Sequence, residues 1–340
     1  MIHIVGAGPG AVDLITVRGQ KLLSEADVVI YAGSLVSRDL LGWARQDARI
    51  YDSASMDLEQ VMEVMEQAER DGLTTVRLHT GDPCLYGAIR EQMDGLDARG
   101  IKYDICPGVS SFCGAAAALG MEYTLPGISQ SVVITRMAGR TPVPERESIE
   151  KFAAHGSTMV IFLSAGMTGE LSEELVKGGY PGDTPAAIVY KATWPDEKVV
   201  RCTVATLEET ADREGIHKTA LIVVGNTVAQ TGYERSKLYD PAFTTGFRAG
   251  REIVPGKLEP GTLYVVGMGP GEKKQMTGQA LEVMGRCQVI AGYTVYVDLV
   301  RELFPQKEFL TTAMTREEER CRKAFECCME GKNTAMICSG

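Results

Sequence analysis

Two short turns carry the residues of this 340-residue chain that are best suited to binding a ligand. The first comprises residues 6–11 (GAGPGA) and fits the pattern GxGxxG/A, whose glycines let a pyrophosphate approach the N-terminus of a helix. The second comprises residues 79–83 (HTGDP) and follows an apolar strand, at the edge where open α/β sheets bind ligands. The flanking glycine and proline fix the direction of Asp82, whose carboxylate can accept hydrogen bonds from an ammonium or hydroxyl group. Together the turns predict a site for a small molecule.

The first turn alone leaves several interpretations open. A nicotinamide dinucleotide site also needs an acidic residue at the end of the second strand, where this chain has Tyr31-Ala32-Gly33. Pro9 lacks the backbone N–H that such a loop would donate to a pyrophosphate. A dinucleotide-dependent oxidoreductase is therefore one alternative, and a turn with a purely structural role is another. An Asp82 that simply faces solvent in its turn is the corresponding alternative for the second motif.

Alternating strands and helices position both turns. The hydrophobic pattern predicts strands over 2–5, 27–31, 74–79 and 103–106 and helices over 16–25, 58–70 and 110–119. Such alternation predicts an α/β fold with a parallel sheet. A second series has no glycine-rich turn of its own and predicts a second α/β domain, with strands over 132–135, 158–163, 186–190, 199–204 and 220–224.

The beginning of the chain is repeated near its end. Residues 262–271 (TLYVVGMGPG) restate residues 1–10 (MIHIVGAGPG), and an apolar run follows each copy. The second copy stops before any counterpart of Asp82, so we expect it to be a truncated module that cannot catalyse. The expected domains are 1–120 and 121–232, followed by a linker at 233–260, where prolines and glycines occur without periodicity, and a partial third α/β unit at 261–340.

Composition limits the classes of partner. A net charge of −10 without a run rich in lysine and arginine argues against nucleic acid and anionic membranes. No stretch approaches the roughly 20 apolar residues that span a bilayer, and no basic leader precedes the first strand, so a cytoplasmic location is expected. The nine cysteines lack paired CxxC spacing, which favours buried thiols over a metal site or a disulfide framework. We predict no bound metal.

Several short motifs together resemble the tetrapyrrole (corrin/porphyrin) methyltransferase family. They are residues 6–10 (GAGPG), 13–16 (DLIT), 26–31 (ADVVIY), 34–37 (SLVS), 79–83 (HTGDP), 107–110 (PGVS) and 135–142 (TRMAGRTP). The last of these and residues 190–197 (YKATWPDE) narrow the resemblance, which covers about residues 1–232, to the branch that methylates precorrin-4 or cobalt-precorrin-4 at C-11 in cobalamin biosynthesis. The second copy resembles the opening of the sister branch that methylates precorrin-3B at C-17.

The resemblance implies a two-domain α/β enzyme, a homodimer, that binds S-adenosylmethionine between its domains and methylates a tetrapyrrole. Matching positions assign the cofactor, on the first domain, to Pro9, Thr80, Gly81, Asp82, Leu85, Ser110 and Ser111. On the second domain they assign it to Leu163, Ala192, Ala220 and Leu221. Asp82 is expected to shape the pocket rather than to meet the cofactor's ammonium group directly. The resemblance favours a cobalt-containing acceptor and leaves the cobalt-free one open.

Methyl transfer from a sulfonium requires few catalytic groups. A sulfonium methyl is already an activated electrophile, so the main task is to align it within about 3–3.5 Å of a nucleophilic ring carbon. His79 and Tyr86 are candidate proton acceptors, and a structural role within its apolar strand is the alternative for His79.

The carboxylates of a tetrapyrrole call for cations at the site. Arg136, Arg140 and Lys191 are the candidates because each follows a predicted strand; the alternative is that each is an ordinary surface cation. Two other functions stay open, namely a nicotinamide or flavin oxidoreductase and a non-catalytic protein that sequesters a tetrapyrrole.

Overall fold

The computed structural model describes residues 1–234, 236 and 261–339, whose strands form three sheets. The first sheet contains β1 (Ile2–Gly6), β2 (Val28–Tyr31), β3 (Arg49–Asp52), β4 (Thr75–His79) and β5 (Tyr103–Cys106). The helices between and after these strands are α1 (Val17–Glu25), α2 (Leu58–Arg70), α3 (Ile89–Ala98) and α4 (Ser111–Leu119). All five strands are parallel, in the order β3-β2-β4-β1-β5.

The second sheet is mixed. It contains β6 (Val132–Arg136), β7 (Thr158–Phe162), β8 (Pro185–Tyr190), β9 (Lys198–Thr203) and β10 (Ala220–Val224), and its helices are α5 (Ile149–Ala153), α6 (Thr168–Lys177) and α7 (Leu207–Glu214). Its order is β6-β7-β10-β8-β9. Only β6 and β7 are parallel neighbours, because β10 runs antiparallel to both β7 and β8, and β9 pairs with β8 as a hairpin. The start of β10 therefore lies at the same edge as the ends of β7 and β8.

The third sheet repeats the topology of the first. It contains β11 (Leu263–Gly267), β12 (Val289–Tyr293), β13 (Glu308–Thr312) and β14 (Thr334–Cys338), with helices α8 (Gly278–Arg286), α9 (Thr294–Arg301) and α10 (Glu317–Met329). Its parallel order, β11-β14-β12-β13, corresponds to β1-β4-β2-β3 of the first sheet. The repeat in the sequence is therefore also a repeat in structure.

Helix caps and apolar periodicity account for the element boundaries. Helix α2, for example, begins after Asp57, whose carboxylate accepts the N–H of Gln60 while the Gln60 side chain accepts the N–H of Asp57. Its buried face is formed by Val61, Met62, Met65 and Ala68. Every strand and helix predicted above for residues 1–224 lies within one residue of its predicted bounds. The α/β fold class is thus confirmed.

Most of the predicted linker, 233–260, lies outside the described residues. The domain boundaries at 120 and 232 stay predictions, although each sheet is built from one of the three segments that they define. In the part of the chain that the structure describes, every helix is too short or too polar to cross a bilayer.

Candidate cofactor and substrate site

Three glycines let the ends of the central strands meet backbone to backbone. Gly6 ends β1, Gly81 follows β4 and Gly108 follows β5. A Cβ on Gly6 would lie 2.6 Å from Gly108 Cα and 2.7 Å from Gly81 O, and a Cβ on Gly108 would lie 2.2 Å from Gly81 O. Any side chain would have to push backbone aside, so only glycine permits this approach.

The two turns that the sequence singled out pair with each other. The N–H of Gly8 donates to Gly81 O (3.2 Å), and the N–H of Gly81 donates to Gly8 O (2.8 Å). Both glycines lie in the left-handed region, with φ of 79° and 59°. The expected meeting of the turns is confirmed, and it forms one wall of a cavity.

Both oxygens of Asp82 are engaged by backbone. Oδ1 accepts the N–H of Cys84 at 2.8 Å, and Oδ2 accepts the N–H of Gly108 at 2.9 Å. The second bond ties the turn after β4 to the turn after β5. The same carboxylate, with burial as a smaller cause, raises the pKa of the Cys84 thiol to about 11. The Asp82 carboxylate thus holds two turns in place, and its role toward the cofactor stays a prediction.

A loop of the second sheet lies over the first glycine turn. The Trp194 Nε1–H donates to Pro9 O at 3.0 Å, and the N–H of Ala11 donates to Thr193 Oγ1 at 3.0 Å. A Cβ on Gly10 would fall 2.0 Å from the Trp194 ring, so the third glycine of the motif provides the space for the indole. These contacts join the two α/β units directly at the predicted site.

A cavity of about 770 Å³ lies between the first two sheets, under this loop. All eleven residues that the resemblance assigned to the cofactor line it: Pro9, Thr80, Gly81, Asp82, Leu85, Ser110, Ser111, Leu163, Ala192, Ala220 and Leu221. They come from six separate stretches of the chain, and the fold brings them to one place. Which ligand atoms they touch stays a prediction.

Backbone strain is concentrated around this cavity. Four lining residues other than glycine have φ in the left-handed region, namely Tyr86 (54°), Leu163 (54°), Lys191 (45°) and Thr219 (55°). Such conformations cost about 1–3 kcal/mol each and persist where the surrounding structure enforces them, often at ligand sites. These strained conformations lower the stability of the fold but keep the shape of this wall.

The two candidate proton acceptors have different positions. Tyr86 lines the cavity and packs on Phe162, with ring centroids 5.3 Å apart, and burial raises the pKa of its hydroxyl. His79 is 5% exposed and does not line the cavity, and its Nε2 has no hydrogen-bond partner among the described residues. Burial, helped by the charge of Arg77, lowers the His79 pKa to about 3. The structure therefore does not bring His79 to the site, because its ring points into the unit's interior from within β4.

Of the three candidate cations, only Lys191 lies at the cavity. Lys191 lines the cavity, donates to Asp196 at 2.6 Å and stacks 5.3 Å above the Trp194 ring centroid. Arg136 does not line the cavity, since its guanidinium donates to three backbone carbonyls of its own loop, those of residues 137, 141 and 142. Arg140 is exposed and also lies off the cavity. The loop that the arginines flank is closed by Arg136 rather than held open for a ligand.

Sequence reasoning missed a number of lining residues. They are Ser34, Leu35, Phe162, Ala165, Gly166, Val189, Tyr190, His217, Lys218 and Thr219. Residues 34 and 35 lie in a motif that carried the resemblance, so a signal for them was present. Residues 217–219 lie in an irregular loop before β10, and only the antiparallel direction of that strand brings them to the cavity.

Comparison with known proteins agrees with this geometry. The sequence profile of the Tetrapyrrole (Corrin/Porphyrin) Methylases matches residues 1–208 and again residues 262–340. The chain is 52% identical over 247 residues to the cobalt-precorrin-4 C(11)-methyltransferase of Methanocaldococcus jannaschii, which covers 73% of this chain and 95% of that protein. It is 45% identical over 252 residues to the precorrin-4 C(11)-methyltransferase of a Sinorhizobium species, which covers 74% of this chain and 99% of that protein.

Solved structures give the same picture. A cobalt-precorrin-4 methyltransferase of cobalamin biosynthesis superposes with a TM-score of 0.66 at 48% identity, over 67% of this chain and 95% of that one. A uroporphyrin-III C-methyltransferase from Thermus thermophilus, solved with S-adenosylhomocysteine, superposes with a TM-score of 0.58 at 25% identity, over 67% of this chain and 99% of that one. The chain therefore belongs to the tetrapyrrole (corrin/porphyrin) methylase family.

Proposed function

We propose that this protein transfers a methyl group from S-adenosylmethionine to C-11 of precorrin-4 or cobalt-precorrin-4 in cobalamin biosynthesis. The observation that carries the proposal is the convergence of eleven residues, assigned from separate motifs, on one cavity between two sheets. Relatives named for this reaction align over nearly their whole length, at 95–99%, with identities of 45–52%. The lining residues from Pro9 to Trp194 lie within residues 1–208, which the family profile matches.

The cavity suits a nucleoside-sized cofactor. Its volume of about 770 Å³ falls within the range of roughly 300–1,000 Å³ that is common for small-molecule sites. Small and polar residues at 80–82 and 110–111 form one wall, and the apolar residues Leu163, Ala192 and Leu221 form the other. We assign the cofactor to the space between these walls.

Bound S-adenosylmethionine supplies an electrophilic methyl group, and the chain's own residues position the reactants. Trp194 and the turn of Pro9 close the cavity on one side. A tyrosine hydroxyl is protonated at neutral pH, and burial raises the pKa of Tyr86 further, so we assign its hydroxyl to hydrogen-bond donation rather than to proton acceptance. The sequence had instead suggested Tyr86 as a candidate proton acceptor.

Lysines rather than arginines are the proposed partners of the acceptor's carboxylates. Lys191 and Lys218 line the cavity, whereas the guanidinium of Arg136 is occupied by its own loop. We expect Lys218→Met to raise the acceptor's KM several-fold while the Kd of S-adenosylmethionine stays unchanged. Lys177→Met, on an exposed lysine of α6, is the matched control and should change neither quantity. An unchanged KM in Lys218→Met would contradict the assignment.

The proposed reaction is tested by product analysis. The full chain is incubated with isotopically labelled S-adenosylmethionine and, in parallel, with precorrin-4 or cobalt-precorrin-4. The expected product carries one added labelled methyl group, which carbon NMR locates at C-11, and the ratio of the two rates identifies the preferred acceptor. Transfer to another ring carbon, or binding of both reactants without any transfer, would refute the proposal.

A further inference from the structure

The two copies of the repeated module touch each other through equivalent residues. The repeat aligns Thr16 with Thr277, and these two residues form an antiparallel bridge. Beside it, the N–H of Val17 donates to Met276 O at 2.8 Å. Met276 is the counterpart of Ile15, so each copy uses the same short segment at the contact.

The contact is reciprocal on both sides of this bridge. Helix α1 of the first copy packs on the short turn 273–275 of the second, and helix α8 of the second packs on the matching turn 12–14 of the first. On that second side, a Cβ at Gly278 would lie 3.1 Å from Asp13 O. Helix on turn and turn on helix, with a residue facing its own counterpart, is the pattern of a two-fold interface between like subunits.

We infer that the third unit occupies, from within the same chain, the face through which a second copy of the first unit would otherwise bind. We name residues 12–17 the pairing face. The chain is then a monomer with an internal pseudo-dimer, in which residues 262–339 act as the partner of the first unit. The homodimer implied by the resemblance and this pseudo-dimer predict different masses.

The backbone of the pairing face supports a second copy as the alternative occupant. Val17 is the first residue of α1, where a backbone N–H has no acceptor within its own helix. Met276 O satisfies that N–H here. If the third unit moved away, the counterpart carbonyl, Ile15 O of another chain, would satisfy it in the same antiparallel register.

The test begins with Gly278→Gln, whose Cβ would lie 3.1 Å from Asp13 O and whose longer side chain is expected to push the third unit away from the pairing face. Wild-type protein should sediment as a single species of 36.8 kDa. Gly278→Gln should approach twice that mass as concentration rises. Gly285→Gln is the matched control, because Gly285 lies on the same helix, is exposed and faces nothing closer than 3.9 Å, and it should stay monomeric.

A second substitution removes the backbone hydrogen bond that the pairing face donates. Val17→Pro deletes the N–H at a helix position that accepts proline, after a Thr16 whose φ and ψ of −67° and 151° suit the residue before proline. Combined with Gly278→Gln, it should return the protein to a monomer. Leu58→Pro, at the first position of α2 after the extended Asp57, is the control and should leave the Gly278→Gln dimer intact.

Hydrogen exchange separates the outcomes. The Val17 amide should exchange slowly in the wild type and much faster in dilute Gly278→Gln, before dimers form. A wild-type dimer would overturn the inference, and so would a Gly278→Gln variant with unchanged mass and unchanged exchange. Faster exchange with no gain of mass at high concentration would overturn the assignment of a second copy as the alternative occupant.

Discussion

We expect Gly108→Ala to weaken cofactor binding and thermal stability together. A Cβ at position 108 would lie 2.2 Å from Gly81 O and 2.8 Å from Gly6 Cα. Non-bonded heavy atoms settle at about 3.5–4.0 Å, so the turn after β4 must move by about 1 Å. The opposing atoms are backbone, and no side-chain rotation can make room.

The size of the effect follows from the packing. Overpacking a well-filled site costs about 1–3 kcal/mol, and a domain of 150–250 residues loses about 2–4 °C of melting temperature per kcal/mol. We therefore expect a drop of about 2–12 °C. The displaced turn also carries Asp82, whose Oδ2 accepts the Gly108 N–H at 2.9 Å. Binding must restore the turn, so the same free energy corresponds to a Kd about 5- to 150-fold higher.

Thermal unfolding and calorimetric titration with S-adenosylmethionine measure the two effects on the full chain. Gly42→Ala is the control, because a Cβ there would meet nothing within 4 Å and the glycine does not have a positive φ. The reasoning fails if Gly108→Ala matches this control in both melting temperature and Kd. A lower melting temperature with an unchanged Kd would show that the three-glycine contact serves the fold and not the site.

The remaining predictions concern side chains around the turns. The pKa of His79 is about 3 in the folded protein, below its unfolded value, so between pH 6.5 and 3 only the unfolded chain gains the proton and stability falls as pH falls. His79→Gln should remove about 2 kcal/mol of this loss between pH 7 and pH 5, measured by urea unfolding; equal losses would contradict it. Asp82→Asn should lower the Cys84 pKa from about 11 and speed alkylation of that thiol at pH 8, followed by peptide mass mapping; an unchanged rate would refute the contact. Trp194→Phe loses the bond to Pro9 O, worth about 1 kcal/mol, and should raise the cofactor Kd about fivefold; calorimetry showing no change would mean that the bond does not hold the loop in place.

The sequence was sufficient to predict the bounds of helices and strands that have strong local signals. Helix α2 has a capping box and four apolar residues at helical spacing, and its predicted and observed bounds coincide. Strand β3 was not predicted because it has only four residues, two of which are charged. All four are exposed or half-buried at the edge of the sheet. It exists through its pairing with β2, and such a pairing leaves no periodic signal in one strand.

In the candidate site, too, the sequence predicts residues that follow parallel strands but not residues that tertiary pairing brings in. Thr80, Gly81 and Ser110 follow parallel strands, so the rule for strand ends was enough to place them together. Lys218 escaped prediction because it precedes β10, and the direction of that strand is set by sheet pairing. Arg136 had a suitable type and position, yet its guanidinium makes three hydrogen bonds to nearby carbonyls, which spacing alone does not reveal.

The repeated glycine motif explains why its chemistry was ambiguous from sequence. Gly8 and Gly269, its counterpart, have nearly the same left-handed conformation, with φ of 79° and 69°. In the first copy the turn is covered by Trp194 from the second sheet, which contributes half of the cavity wall. In the second copy no strand of the second sheet covers the turn among the described residues; Gly269 and Gly271 instead line a cavity of about 920 Å³ against the first unit. One local pattern therefore specifies a backbone bend in both places, and the elements packed against that bend decide which side chains complete the cavity beside it.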